Sequence, residues 1–253
     1  DPKWKLSGRD SRSYDWASAN HDHEDLRMAV YAAMIDCMDQ NIGRLMAALK
    51  KSGEADNTLV LFLSDNGGCA EEPGGRSPKI VPGPREFYAA VGPAWGWAQN
   101  APFRRYKSWA HEGGIATPCI AWWPRQIKAN SITKEVGHII DFMPTFLELA
   151  GGKYPTKHKG NDILPVEGKS LLPVLNGRKR EGHEQIAWEW SGNRALREGK
   201  WKLVWDKLEK RWSLFDLEAD RTETNGLASA NPKRIARLKK DWFAWAKKCG
   251  FNI

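Results

Sequence analysis

The sequence predicts an α/β fold: part of a large mixed β-sheet flanked by helices, followed by a small antiparallel α+β domain. Three observations carry this reading. An apolar stripe with helical period runs through residues 25–51. A continuous β-prone apolar run, Thr58-Leu59-Val60-Leu61-Phe62-Leu63, stops abruptly at Ser64-Asp65-Asn66-Gly67-Gly68. Beyond residue 185, four short strand-like segments separated by Gly or charged turns lead into an amphipathic helix. The expected organisation is a catalytic-type α/β portion over residues 1–175 and a small C-terminal domain over 176–253, a four-stranded antiparallel sheet plus a helix.

Residues 1–20 are polar and irregular and read as a surface segment or linker. The helix is expected from Asp25 to Lys51, with Asp22 as N-cap and Asp25 in a capping-box-like position. Leu26, Val30, Ala33, Met34, Cys37, Met38, Ile42, Leu45, Met46 and Leu49 form its stripe. Lys50 and Lys51 suit the negative end of its dipole, and Gly53 is a natural stop. The run 58–63 is expected to bury both faces as a central strand. A Gly- and Pro-rich loop from Glu71 to Asn100 follows. Pro118–Pro124 reads as a second short buried strand, and Val136–Gly151 as a strand-like start followed by a helix with Pro144 in its first turn. Lys153–Gly182 looks like an inter-domain connection. The later strands are expected at Gln185–Trp190, Arg194–Arg197, Trp201–Trp205 and Trp212–Leu217. The last helix is expected over Pro232–Lys248, with Ile235, Leu238, Trp242 and Trp245 on one face.

Composition narrows the function classes. With 253 residues, 41% of them hydrophobic, the chain has enough apolar material for a core. No apolar run approaches the ~18–20 residues of a membrane span. The start, Asp1-Pro2-Lys3-Trp4, has no basic-then-apolar leader and resembles the interior of a longer protein. Cys37, Cys69, Cys119 and Cys249 form no C-x-x-C motif, which argues against zinc fingers and thioredoxin-like chemistry; one or two bridges stay open. The net charge of +8 is uneven. Residues 1–175 hold 21 basic and 20 acidic side chains, and residues 176–253 hold 18 and 11. The C-terminal part is therefore a basic unit, either a solvated face or a surface for polyanions. Fourteen tryptophans are unusual; most belong in cores or interfaces, although an exposed one stacks on sugar rings.

Two places offer chemistry. Asp65 and Asn66 follow the carboxyl end of a predicted sheet strand, where open α/β sheets bind ligands. A carboxylate and an amide carbonyl are hard donors, suited to Ca²⁺ or Mg²⁺, and the two glycines let backbone approach a ligand. The plain alternative is an Asn-Gly turn. Two donors also fall short of the roughly 6–8 oxygens that Ca²⁺ takes. The second place is Ala101–Gly114, with Arg104, Arg105 and Lys107 ahead of His111-Glu112-Gly113-Gly114. A lysine on such a loop beside a divalent cation would hold an anionic oxygen of sulfate or phosphate; the alternative is a solvated basic loop. His111 reads as a residue that hydrogen-bonds its loop. His21, His23, His138, His158 and His183 show no metal-ligand spacing and read as structural or surface residues. No G-x-S-x-G elbow, Walker A loop or H-E-x-x-H motif is present.

Taken together and in order, the motifs resemble the sulfatase family of the alkaline phosphatase superfamily, specifically the C-terminal portion of an arylsulfatase. The matching pieces are Tyr31–Asp36 and Met38–Gly43, Asp56-Asn57-Thr58, Phe62–Gly68, Pro102-Phe103-Arg104 through Lys107 to Glu112-Gly113-Gly114, and Met143-Pro144-Thr145. Leu147–Gly151, Gly168–Leu171, Gly192–Ala195 and Trp201–Val204 complete them. The resemblance implies hydrolysis of sulfate esters, with Asp65 and Asn66 as two ligands of a calcium ion and Lys107 as a contact to the substrate sulfate. It implies two further acidic ligands and a formylglycine nucleophile, made from Cys or Ser in a C/S-x-P/A-x-R motif. No cysteine here stands in that motif. The expectation is that the nucleophile and remaining ligands lie outside this chain, that no catalytic residue lies within it, and that alone it is inactive. The implied partner is a sulfated small molecule or sulfated glycan, with nucleic acid disfavoured; the family resemblance implies a periplasmic or secreted setting. Two rivals stand beside this reading: a phosphodiesterase or phosphonate hydrolase of the same superfamily, and a non-catalytic basic module that binds polyanionic glycans.

Overall fold

The structure, a computed structural model, describes residues 19–71, 81–87 and 90–251. Its helices are α1 (His21–Lys51), α2 (Gly92–Asn100), α3 (Glu112–Ile115), α4 (Phe142–Leu149), α5 (Leu172–Leu175) and α6 (Pro232–Lys248). Its strands are β1 (Val60–Leu63), β2 (Cys119–Trp122), β3 (Lys157–His158), β4 (Asn161–Asp162), β5 (Ile186–Trp190), β6 (Asn193–Glu198), β7 (Trp201–Asp206) and β8 (Arg211–Asp216). This is the mixed α/β class expected. Among the described residues no helix is long and apolar enough to cross a membrane, and all four cysteines are free thiols. The polar stretch at the N-terminus and much of the loop after Glu71 lie outside the described residues.

The chain forms two compact units. Described residues up to Gly43, Leu63–Pro118 and those from Gln185 onward make the first; Arg44–Phe62 and Cys119–Glu184 make the second.

In the first unit, α1 begins earlier than expected. The Asn20 side chain accepts the His23 N–H at 3.2 Å, so Asn20 is the cap, while Asp22 lies within the first turn, where the dipole favours acid. The apolar stripe is not buried. Only Glu24 and Arg27 of α1 are, paired at 3.2 Å, whereas Met34 is 66% exposed and Leu26, Ile35, Met38 and Leu45 are exposed with it. Periodicity identifies a face that seeks cover; among the described residues Val30, Ile42, Met46 and Leu49 are half-buried and the rest of the stripe is exposed. α2 falls inside what reads as loop. Gly92, Pro93 and Gly96 look like breakers, but proline is tolerated in a first helical turn, and Gly96 packs against Ala70.

The C-terminal part of this unit follows the sequence closely. Strands β5 to β8 form an antiparallel sheet in chain order, with β7 Leu203 opposite β6 Leu196 and β8 Leu214. One face carries Leu196, Leu203 and Leu214 and is covered by Leu238, Trp242 and Ala246 of α6, with Ile235 and Trp245 at the margin. The other face carries Ala195, Val204 and Phe215 and packs on Ala110. Trp242 anchors the helix. It is fully buried, it donates to the Trp188 carbonyl at 3.0 Å, and its ring lies 6.0 Å from that of Trp212.

In the second unit, among the described residues, β1 pairs only with β2. Phe62 is exposed and Ile120 is 62% exposed, so the expected burial of both strands on both faces is not met by the described residues. Residue 136 starts no strand. A 3₁₀ turn, Ile139–Asp141, leads directly into α4. The stretch read as a connection, Lys153–Gly182, contains the β3–β4 hairpin and α5, and its end returns to Asp141. That fully buried carboxylate accepts from Arg180 at 2.9 Å, from the His138 and Lys169 N–H groups at 2.9 and 2.8 Å, and lies 2.6 Å from His183 Nε2. Burial alone would raise Asp141; these hydrogen bonds outweigh it and hold the carboxyl below the ordinary aspartate range.

Truncating Trp242 to alanine removes the packing centre of the sheet–helix layer. A loss of about 3–5 kcal/mol is expected in denaturant melts, whereas Ala244→Ser on the exposed face of α6 should move the midpoint little.

Candidate active site

Both sequence-selected places fall in the first unit, and the structure brings their backbones together. Asp65 and Asn66 leave the end of β1 in a turn closed by the Ser64 hydroxyl, which donates to the Asn66 carbonyl at 2.8 Å. Gly67 and Gly68 then run against the loop of residues 104–114. The Gly67 N–H donates to the Gly114 carbonyl at 3.1 Å, and the Lys107 N–H donates to the Gly68 carbonyl at 3.0 Å. Lys107 is therefore stitched to the same turn that carries the Asp-Asn pair. The Gly68 N–H is held by the Asn100 side-chain oxygen at 2.9 Å, so α2 buttresses the turn.

The glycines here serve backbone-to-backbone approach. A Cβ on Gly67 would collide with the Gly113 carbonyl, and one on Gly114 with the Trp109 carbonyl. The sequence reading took the first pair as room for a ligand; the structure shows that the room is filled by the second loop.

Within the loop, Gly113 N–H donates to the Arg104 carbonyl at 2.9 Å. Arg105 and Ser108 adopt left-handed backbone, with φ of 68° and 78°, which is rare outside glycine and persists only where surroundings enforce it. The enforcement is visible. Arg105 pairs with Asp206 at 2.8 Å and lies 4.2 Å over the Trp109 ring, and Asn193 donates to the Ser108 carbonyl at 2.8 Å. Arg104 pairs with Glu209 at 2.7 Å. Two of the loop's three cations thus face inward, contrary to a solvated basic loop.

Lys107 is the one that faces out. It is 36% exposed, with its ammonium 3.9 Å from Glu71. Asp65 is exposed and, among the described residues, its carboxylate has no ion pair or hydrogen-bond partner; Asn66 is half-buried. An exposed, unpaired carboxylate next to an amide oxygen fits one arm of a site for a hard divalent cation. It is one arm only. Among the described residues no group of three or more His, Cys, Asp or Glu side chains is placed to hold a metal.

His111 is fully buried, and its Nδ1 has no partner. Burial, with Arg104, Lys202 and Arg105 nearby, holds its imidazole well below the ordinary histidine range. It is a neutral packing residue; the hydrogen bond to its loop that the sequence reading expected is not made by Nδ1 among the described residues.

Sequence reasoning passed over the residues under the loop. Lys202, the second residue of β7 and with no exposed surface, reaches Glu112 at 2.8 Å and Glu223 at 3.0 Å. Glu223 in turn accepts the Glu112 N–H at 2.7 Å, and Arg221 lies 3.3 Å from Glu112. Burial alone would raise Glu112; Lys202, Arg221 and Arg197 outweigh it and hold that carboxyl low. Burial pushes Glu223 up, and Lys202 offsets this only in part. The signal was present: a lysine flanked by apolar residues in the strand Trp201-Lys202-Leu203-Val204, alternating onto a buried face.

Comparison with known proteins places this geometry. The family described as Sulfatase matches residues 7–152, and the family described as N-sulphoglucosamine sulphohydrolase, C-terminal, matches residues 103–242. A protein of Schizosaccharomyces pombe described as an uncharacterized sulfatase is 32% identical over 97% of this chain and 48% of its own length. The N-acetylglucosamine-6-O-sulfatase of Bacteroides thetaiotaomicron is 29% identical over 79% of this chain and 32% of its own. Among solved structures, Ps i-CgsB in complex with k-i-k-neocarrahexaose superposes with a TM-score of 0.66 at 23% identity, covering 92% of this chain and 48% of that one. The chain thus spans about half or less of the length of these relatives.

Two outcomes follow from the loop geometry. Gly67→Ala forces the two backbones apart and is expected to cost about 1–3 kcal/mol or more in a thermal or denaturant melt. His111 is kept neutral in the folded state but protonates near pH 6.5 when unfolded, so stability is lost as pH falls below about 6.5. Melts from pH 8 to 5 should show that loss, and His111→Gln should flatten its slope.

Proposed function

This chain belongs to the sulfatase family, and we propose that it supplies the cation-binding and sulfate-binding arm of a sulfuric ester hydrolase. The observation that carries the proposal is the pair of backbone hydrogen bonds joining the Asp65-Asn66 turn to the Lys107 loop. They put an anionic hard-donor pair and an exposed ammonium on one short stretch of structure. Asp65 and Asn66 would hold a calcium ion. When bound, that ion would neutralise and orient the oxygens of a sulfate ester. Lys107 binds a sulfate oxygen and balances the negative charge that the sulfate gathers as its ester bond breaks. Glu71 sets the resting position of that ammonium and yields it to the more concentrated charge of a sulfate.

The nucleophile, a formylglycine, and the remaining cation ligands lie in residues outside this chain. The exposed apolar stripe of α1 and the uncovered side chains of β1 and β2 support this, because such surface is ordinarily covered. Substrates are sulfated sugars, small or polymeric. This rests on the relatives, one named for N-acetylglucosamine-6-O-sulfate and one crystallised with a neocarrahexaose.

The test compares aryl sulfate, sulfated oligosaccharide and phosphate ester turnover by the protein with its catalytic centre complete. Chelation should abolish sulfate turnover and added calcium restore it. Lys107→Ala and Asp65→Ala should each lower kcat/KM by about 10²–10³. The isolated 253-residue chain should show no turnover and should self-associate. Preference for phosphate esters, full activity of either variant, or turnover by the isolated chain would each overturn the corresponding part of the proposal.

A further inference from the structure

We propose that Lys202 is the positioning residue of the Lys107 arm: its buried ammonium, closed on Glu112 and Glu223, fixes where the loop presents Lys107 to the sulfate. The inference rests on the reading of Lys107 just given and deepens it.

Lys202, Glu112 and Glu223 are all buried, so none of them can touch a substrate. What they touch is the loop. Glu112 is gripped twice, at its carboxylate by Lys202 and at its backbone N–H by Glu223. The next two residues, Gly113 and Gly114, make the hydrogen bonds that close the loop on Arg104 and on Gly67. A displacement of Glu112 therefore reaches the Asp65-Asn66 turn through two residues and one hydrogen bond.

The other side of Lys107 is clamped to the same strand. Arg105 is bonded to Asp206, the last residue of β7, and Arg104 to Glu209 just beyond it. Lys107 thus sits between two charge clamps, one at the start of β7 and one at its end. The left-handed Arg105 and Ser108 between them store conformational strain that the clamps hold in place.

Physical chemistry favours a positioning role over simple glue. Buried charge sets are costly to desolvate, and well-packed apolar residues commonly serve stability as well or better. What an apolar layer does not do is fix register. Beneath this loop the apolar side chains are Ala195, Val204, Phe215 and Leu217, with Trp188 at the margin; they meet the loop's own Ala110 without a directional contact that would resist a slide of the loop along the sheet. Directional hydrogen bonds to a strand resist that slide. Lys202 sits on this face by alternation, with Val204 and Phe215, while Leu203 faces α6.

The test uses Lys202→Met, with Glu223→Gln as a milder variant that keeps an acceptor for the Glu112 N–H while removing one buried charge. Hydrogen exchange of the intact chain reads the Gly67, Lys107 and Gly113 amides against the Leu203 and Leu214 amides of the sheet. Lys202→Met should raise exchange at the first group by about a hundredfold and leave the second protected. With the catalytic centre complete, kcat for a minimal aryl sulfate should fall about tenfold or more, while the activity left should remain sensitive to Lys107→Ala. Glu223→Gln should move both readouts in the same direction by less. Unchanged loop exchange, or an equal rise in the loop and the sheet, would overturn the positioning role, the second result marking Lys202 as a general stabiliser. If instead Lys107→Ala alone leaves turnover intact, the reading of Lys107 as the sulfate contact fails, whatever the exchange data show.

Discussion

The constraint on which the first unit depends is a crossing of two backbones with no side chain between them. Gly67 passes against Gly113 so closely that a Cβ on it would overlap the Gly113 carbonyl, while Gly113 and Gly114 are pressed as tightly against the Arg105 and Trp109 carbonyls of their own loop. Peptide groups brought this close and out of water must pair, and they do, through Gly67 to Gly114 and Lys107 to Gly68. The consequence is chemical. The tip of a strand and the loop that carries an exposed ammonium become one piece of structure, so the distance between the Asp-Asn pair and Lys107 is set by backbone, not by flexible side chains.

What could be read from the sequence follows from the range of the forces involved. The four-stranded sheet and α6 are local. Their period-2 and period-3.6 patterns, turn glycines and Pro232 at a helix start are all short-range signals, and their boundaries came out within a few residues. The two glycine pairs and Lys107 stand out in the sequence as candidates, but not as partners in a crossing, because nothing local says that Gly67 meets Gly113. The same limit explains Asp141. An ordinary aspartate before a helix becomes a fully buried hub only when Arg180 and His183 return to it across about forty residues of chain. α1 shows the reverse error. Its stripe predicts a buried face, and among the described residues none of it is buried and only Val30, Ile42, Met46 and Leu49 are half-buried.

Charge counting also looked different once partners were visible. The excess of seven basic side chains after residue 175 suggested a surface for polyanions. Yet Lys202 and Arg221 are spent on Glu112, Lys200 on Asp216, Arg211 on Glu209, and Arg237 on Glu198, whose carboxyl that hydrogen-bonded guanidinium brings down to about 2. Net charge is a long-range quantity and says nothing about which cations are already neutralised at contact distance. The excess of seven already sets every acidic side chain of the region against a basic one, so its internal pairs, several of them solvent-exposed, leave it in place and show only which cations sit at contact distance from a carboxylate.

The distribution of polar and apolar groups is itself an argument. In an ordinary core, apolar side chains go inside and charges stay out. Here a lysine and two glutamates are sealed beneath the 104–114 loop, while methionines and leucines of α1 face outward. The first departure is expected where direction matters more than cohesion, because an ammunition of apolar contacts fixes distance but not registry, whereas an ion set fixes both. The second is expected where a surface is built to meet more protein. The buried charges lie beneath the loop that bears Lys107 and the bare stripe lies on the helix that precedes β1, so each departure borders one of the two backbones that cross. On the proposed reading, a segment that places an ammonium against a sulfate, within a centre completed by other residues, has reason to depart from the usual partition in both ways at once.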